Sequence, residues 1–187
     1  EFLEAYLREI TPLFPFEYFH AGCDEAWDIG MCELCRGRGH SDIFADHLRC
    51  SHDLVTGKLG KRMIIWDDLF ECYPGALENL PRDIVMCSWQ YEKLVGTPLG
   101  HFGDRPRMDK FSIYDRMGFD YILAPAVLSL RNIRTITDYA EGHKPMGALL
   151  TMWELRRAFP FGARPMTVFA GRLWSGAAAD GDDRIAE

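Results

Sequence analysis

The chain has 187 residues, 48% of them apolar, and its 28 acidic side chains outnumber 21 basic ones for a net charge of -7. That length can bury one sizeable core, the apolar share is too high for a disordered chain, and acidity without a basic stripe argues against a nucleic-acid partner. No apolar run reaches membrane-spanning length and no signal peptide opens the chain, which starts at Glu1 and so leaves room for a leader or domain upstream.

Phe2, Leu3, Tyr6, Leu7 and Ile10 recur at helical spacing, so Glu1 to Ile10 is expected as an amphipathic helix with one face packed inward, ended by Pro12 and Pro15. A strand over Tyr18 to Gly22 follows, then a Gly-, Arg- and Cys-rich loop over Cys32 to His40, and a helix over Asp42 to Val55. Lys61 leads into the strand Arg62 to Trp66, an apolar run typical of a strand buried on both faces. Asp83 to Trp89 is a second such strand. Gly96 to Pro106 reads as a loop, Phe111 to Met117 as a short helix, and Tyr121 to Pro125 as a strand. A helix near Ile133 to Glu141, a last strand over Met146 to Trp153, and a closing helix over Thr167 to Trp174 complete the order.

Five apolar strands alternating with helices imply parallel β/α units, and a (β/α)8 TIM-barrel type of fold, treated as a single domain over 1–187, fits best. Active sites in that architecture lie where strands end. Here those ends carry acids and tryptophans.

The chemistry begins in Tyr18-Phe19-His20-Ala21-Gly22-Cys23-Asp24-Glu25. Successive side chains on a strand point to opposite faces, so Asp24 and Glu25 can serve one substrate only if the strand has ended and the chain is curling, which Gly22 permits. Two carboxylates held close cannot both ionise easily, and one that keeps its proton can act as a general acid. The plainer reading is that the acids cap a following helix. Three strands ending in Trp66, Trp89 and Trp153 weigh against it. Each indole alone is ordinary core material, but together they suit the apolar face of a sugar ring, with Asp and Glu accepting from its hydroxyls. Carboxylates with an aromatic box point to glycoside hydrolysis.

Six cysteines at irregular spacings, in a chain too large to need staples, read as reduced thiols in a cytoplasmic protein. Cys32 and Cys35, with His40, His47, Cys50 and His52 downstream, could supply a zinc site, but no second pair stands at finger spacing. The reading therefore assigns no metal and no cofactor. A redox role for the pair is weaker, because it does not open a helix after a thioredoxin-like strand.

At His20-Ala21-Gly22-Cys23-Asp24-Glu25 the chain resembles glycoside hydrolase family 20, the β-N-acetylhexosaminidases, whose hallmark is a His-x-Gly-x-Asp-Glu segment ending the fourth barrel strand. The likeness continues through Trp66-Asp67-Asp68, Trp89 and Trp153, and the hexosaminidase D-like branch is the nearest in Cys-Asp-Glu-Ala-Trp-Asp-Ile-Gly and Ile-Trp-Asp-Asp. The resemblance implies that Glu25 is the general acid/base. Asp24 orients the substrate's own acetamido group, whose oxygen attacks the anomeric carbon to give an oxazolinium intermediate, so configuration is retained and the rate is bell-shaped in pH. Trp66, Trp89 and Trp153 wall the sugar, Asp68 joins the substrate contacts, and His20 buttresses the acids.

Departures accompany the likeness. The family's acetamide-binding Tyr is replaced by Val127-Leu128-Ser129, with Tyr91 the candidate substitute, and Glu154 directly follows Trp153 where relatives have Trp-x-Glu. By this alignment barrel strands one to three are missing, so the chain is expected to be a fragment, or to have its open side covered by another chain, which admits a homo-oligomer. The expected partner is a glycan with terminal N-acetylglucosamine or N-acetylgalactosamine; neither nucleic acid nor membrane is expected. The competing readings are a sugar-binding remnant without turnover and a zinc-stabilised interaction module.

Overall fold

The structure, a computed structural model, describes residues 2–98, 102–103, 107–153 and 162–176. It divides into two compact units, the first of residues 1–87 with 116–120, the second of 88–115 with 121–187.

The first unit opens with α1 (Phe2–Ile10), whose end is marked by the Thr11 hydroxyl donating to the Leu7 carbonyl at 2.8 Å. The expected inward face is only partly formed. Leu7 is buried, whereas Phe2 and Tyr6 are 83% and 50% exposed, because no described element covers that side of the helix. β1 spans Tyr18–His20, two residues shorter than expected, since the chain leaves the strand direction at Gly22. Ala21 still donates to the Ile64 carbonyl at 2.8 Å.

α2 (His40–His52) starts two residues before the expected Asp42 and runs into a π-helical stretch, Asp53–Lys58, in which the Leu59 N–H reaches back five residues to Leu54 at 3.2 Å. β2 (Arg62–Trp66) has the predicted bounds, but its burial alternates at first: Met63, Ile65 and Trp66 are buried, Arg62 and Ile64 half-buried. β3 (Val85–Trp89) begins two residues later than expected and is buried throughout. Within this unit β1 pairs with β2 in parallel, Tyr18 opposite Arg62 and His20 opposite Ile64, and β2 pairs with β3, Ile64 opposite Val85 and Trp66 opposite Cys87. Consecutive apolar side chains favour this burial because both faces of a parallel sheet are covered. Phe44 of α2 meets Phe70 with ring centroids 5.5 Å apart. Arg62 fastens the strand starts, donating to the Asp83 carbonyl at 2.8 Å and pairing with Asp120 at 2.5 Å.

The second unit contains α3 (Lys110–Met117) up to Asp115, β4 (Tyr121–Ala124), α4 (Leu130–Tyr139), β5 (Gly147–Ala148) and α5 (Arg164–Trp174). β4 and β5 pair in parallel, Ile122 opposite Gly147 and Leu123 opposite Ala148. The strand expected over Met146 to Trp153 is therefore reduced to two residues, with an isolated bridge between Ala126 and Thr151 beyond it. Pro125 is the reason: without an N–H it cannot continue the ladder, although its carbonyl still accepts from Thr151 at 2.8 Å. Ser129 caps α4 by accepting from the Asn132 N–H at 3.4 Å, and α5 starts three residues earlier than expected with Pro165 in its first turn, where a missing N–H costs nothing. Ile133, Phe169 and Ala170 form the buried centre between these two helices. Strand pairing in both units is parallel and alternates with helices, so the chain is of the expected α/β class. The described residues carry five strands.

Candidate active site

β1 delivers His20 and then stops. Gly22 takes φ +75, and the left-handed conformation continues through two residues that carry side chains, Cys23 at +71 and Glu25 at +49. Such conformations cost of order 1–3 kcal/mol each and persist only where surroundings enforce them. Here three groups do so. The Gly22 carbonyl accepts from the Trp66 N–H at 2.9 Å, the Gly22 N–H donates to His20 Nδ1 at 3.1 Å, and the Glu25 N–H donates to Asp68 Oδ2 at 3.0 Å. The curl that the adjacent acids require is thus present, and helix capping does not account for them: the next helical turn is Glu33–Cys35.

Asp24 and Glu25 are both exposed. Asp68, predicted as a substrate contact, is 0% exposed and sits on the backbone of Glu25. Its carboxylate makes a charge-assisted bond, the stronger kind. His20 packs against Trp66, ring centroids 4.4 Å apart. Burial pushes the His20 imidazole below its usual range, against the upward pull of Asp24. The ring is therefore neutral at pH 7, with Nδ1 free to accept from Gly22. The Cys23 thiol is pushed up to about 12, by burial first and then by Asp24 and Asp68. Cys23 also lines an apolar cavity of about 230 Å³ with Ala26, Ile29, Ile43, Phe44 and His47.

The second unit gathers the other expected aromatics. Trp89 stacks on Tyr91 with centroids 5.0 Å apart, and the Trp153 indole donates to the Tyr91 hydroxyl at 2.5 Å. Thr151 Oγ1 lies 3.4 Å from the same hydroxyl. Trp89 is 9% and Trp153 55% exposed. Trp153 stands beyond β5 rather than ending a long strand, and Glu154 lies outside the described residues.

Sequence reading missed Asn132. Fully buried on α4, it donates through Nδ2 to the carbonyls of Gln90 at 2.7 Å and Glu92 at 2.8 Å, while Oδ1 accepts from the Ala126 N–H at 3.2 Å. It thereby pins the chain on both sides of Tyr91. The available signal was a lone amide beside Ile133 in an apolar helix stripe.

Cys32 and Cys35 face each other with sulfurs 3.2 Å apart on the Glu33–Cys35 turn. Among the described residues no cluster of three or more His, Cys, Asp or Glu side chains is placed to hold a metal ion, and no helix is long and apolar enough to cross a membrane.

Comparison with known proteins places the chain in a family. Residues 1–98 match the catalytic domain of glycosyl hydrolase family 20. A beta-hexosaminidase of Porphyromonas gingivalis (strain ATCC BAA-308 / W83) is 34% identical over 84 residues, 37% of this chain and 10% of that protein. A beta-hexosaminidase of Vibrio furnissii is 29% identical over 147 residues, 74% of this chain and 20% of that protein. The chain thus spans no more than about a fifth of the length of these curated relatives.

Proposed function

The chain belongs to glycosyl hydrolase family 20, and from that membership we propose that it carries the acid pair of a retaining exo-β-N-acetylhexosaminidase acting on terminal N-acetylglucosamine or N-acetylgalactosamine. The observation that carries this reading is the turn Gly22-Cys23-Asp24-Glu25, left-handed at Gly22, Cys23 and Glu25, with Asp68 fastened to the Glu25 N–H.

In this reading Glu25 protonates the glycosidic oxygen as the bond to the anomeric carbon breaks. Asp24 holds the acetamido N–H, so the acetamido oxygen is aimed at the anomeric carbon and closes the oxazolinium ring. Glu25, now ionised, takes a proton from water that attacks from the face the leaving group left, and configuration is retained. An enforced backbone suits this work, because both carboxylates must keep their directions while charge develops. Trp66 supplies an apolar face beside the acids. Trp89, Tyr91 and Trp153 offer flat faces and a hydroxyl of the kind sugar contact uses. The (β/α)8 barrel belongs to this proposal too, with the five strands here as part of it.

The test is hydrolysis of para-nitrophenyl N-acetyl-β-glucosaminide and its galacto epimer by this chain and by Glu25→Gln. Loss of a general acid should lower the rate roughly a hundredfold to ten-thousandfold, while a thiazoline mimic of the intermediate still binds the variant. Turnover unaffected by the substitution would remove Glu25 from its role. Thiazoline binding with no turnover in either protein would favour the sugar-binding remnant.

A further inference from the structure

We propose that Cys32 and Cys35 form a reversible dithiol/disulfide couple, a modification site on the loop that leaves the acid pair, oxidised by low-molecular-weight disulfides of the glutathione class. The inference stands on geometry and is independent of the glycosidase reading.

The two sulfurs already lie 3.2 Å apart across a single helical turn, against about 2.05 Å in a disulfide, so closure needs only a small shift. Residues 30–38 are the part of the loop that allows it. Past the Glu25 N–H, which Asp68 holds, the backbone-to-backbone hydrogen bonds are local: Trp27 to Glu25, Met31 to Asp28, Cys35 to Cys32, Arg36 to Glu33 and Arg38 to Cys35. Leu34, between the cysteines, is 90% exposed. A backbone tied only to near neighbours in sequence shifts at little cost.

The chain's thiols also differ in readiness. Cys32 is exposed, and its thiol is lowered by the hydrogen bond it shares with Cys35. Cys35 is raised by the same contact, which leaves it the later partner. Cys23 and Cys87, pushed up to about 12 by burial with nearby carboxylates adding, carry almost no thiolate near neutral pH. Preference for the pair over Cys23 and Cys87 follows, and over the other free thiols, Cys50 and Cys72, it rests on the sulfur-to-sulfur contact.

In the exchange, the Cys32 thiolate attacks one sulfur of glutathione disulfide, forming a mixed disulfide and expelling one glutathione thiolate. Cys35 then gives up its proton and attacks the Cys32 sulfur, which expels the second glutathione. Two electrons pass from the cysteines to the reagent, two protons leave the thiols, and two molecules of glutathione result.

The experiment is incubation of the native chain with glutathione disulfide, alkylation of remaining thiols, and cleavage after glutamate and aspartate. Glu25 and Glu33 separate Cys23, Cys32 and Cys35 into different peptides, and Asp42 and Asp46 separate Cys35 from Cys50. The expected product is the Cys32 and Cys35 peptides joined, lighter by two hydrogens, and released by dithiothreitol. In Cys35→Ser the mixed glutathione adduct should accumulate on Cys32. Separate, alkylated Cys32 and Cys35 peptides, a persistent glutathione adduct in the native chain, or no adduct on Cys32 in Cys35→Ser would each overturn the proposal.

Discussion

Replacing Asn132 with Ala tests how far a buried amide holds the Tyr91 loop. The side chain is 0% exposed and serves three backbone groups, the carbonyls of Gln90 and Glu92 and the N–H of Ala126. A buried polar group left unmade costs about 1–3 kcal/mol. Taking the lower half of that range for each, since the carbonyls keep a second lone pair for water, the variant should lose roughly 3–6 kcal/mol, a large share of the ~5–15 kcal/mol typical of a domain. Urea unfolding followed by circular dichroism measures it. A loss under ~1 kcal/mol would show that the loop does not depend on this amide. Asn132→Asp sharpens the test. It preserves the acceptor for Ala126 but turns a carboxylate toward two carbonyl oxygens, which raises its folded pKa above the unfolded one. Stability in that variant is present below the unfolded carboxyl range and is lost as pH rises through the folded pKa. A variant as stable at neutral pH as in acid would refute the assigned bonding.

Two further outcomes follow from the first unit. At Gly30 (φ +88) an added Cβ would stand 2.5 Å from His40 Nε2, so Gly30→Ala should destabilise by about 1–3 kcal/mol from backbone and clash together. Adding His40→Ala should recover the steric share alone, and a strictly additive double-mutant cycle would contradict the contact. His20, lowered by burial, contributes stability that is present above its unfolded pKa of about 6.5 and lost as pH falls through the folded value. His20→Gln should flatten the fall in thermal midpoint between about pH 7 and about pH 5, whereas an unchanged slope would place the titration elsewhere.

The sequence was most readable where one physical cause dominates. Arg62 to Trp66 was placed to the residue because a run of consecutive apolar side chains suits a strand in a covered parallel sheet, whereas the first strand was carried to Gly22, two residues past where β1 stops. Pro125 was equally visible, yet its effect on the partner strand was not, since that requires knowing which chain lies opposite. Asp68 was singled out, but its bond to the Glu25 N–H joins residues 43 apart in sequence. Nothing local announces it. Cys23 and Glu25 at positive φ were hidden for the reverse reason: their residue types argue against that backbone, which tertiary contacts impose.

The π-helical stretch after α2 has a meaning for comparing this chain with others. A hydrogen bond that reaches back five residues, as from Leu59 to Leu54, winds one more residue into its turn than the four-residue span of an α-helix. Asp53–Lys58 therefore houses a surplus residue inside a helix, absorbed without displacing Arg62 at the start of the next strand. Where a relative has a regular helix there, the correct pairing of positions places a one-residue gap within 53–58, and a gap forced into the flanking loop would shift every helical position before it out of phase.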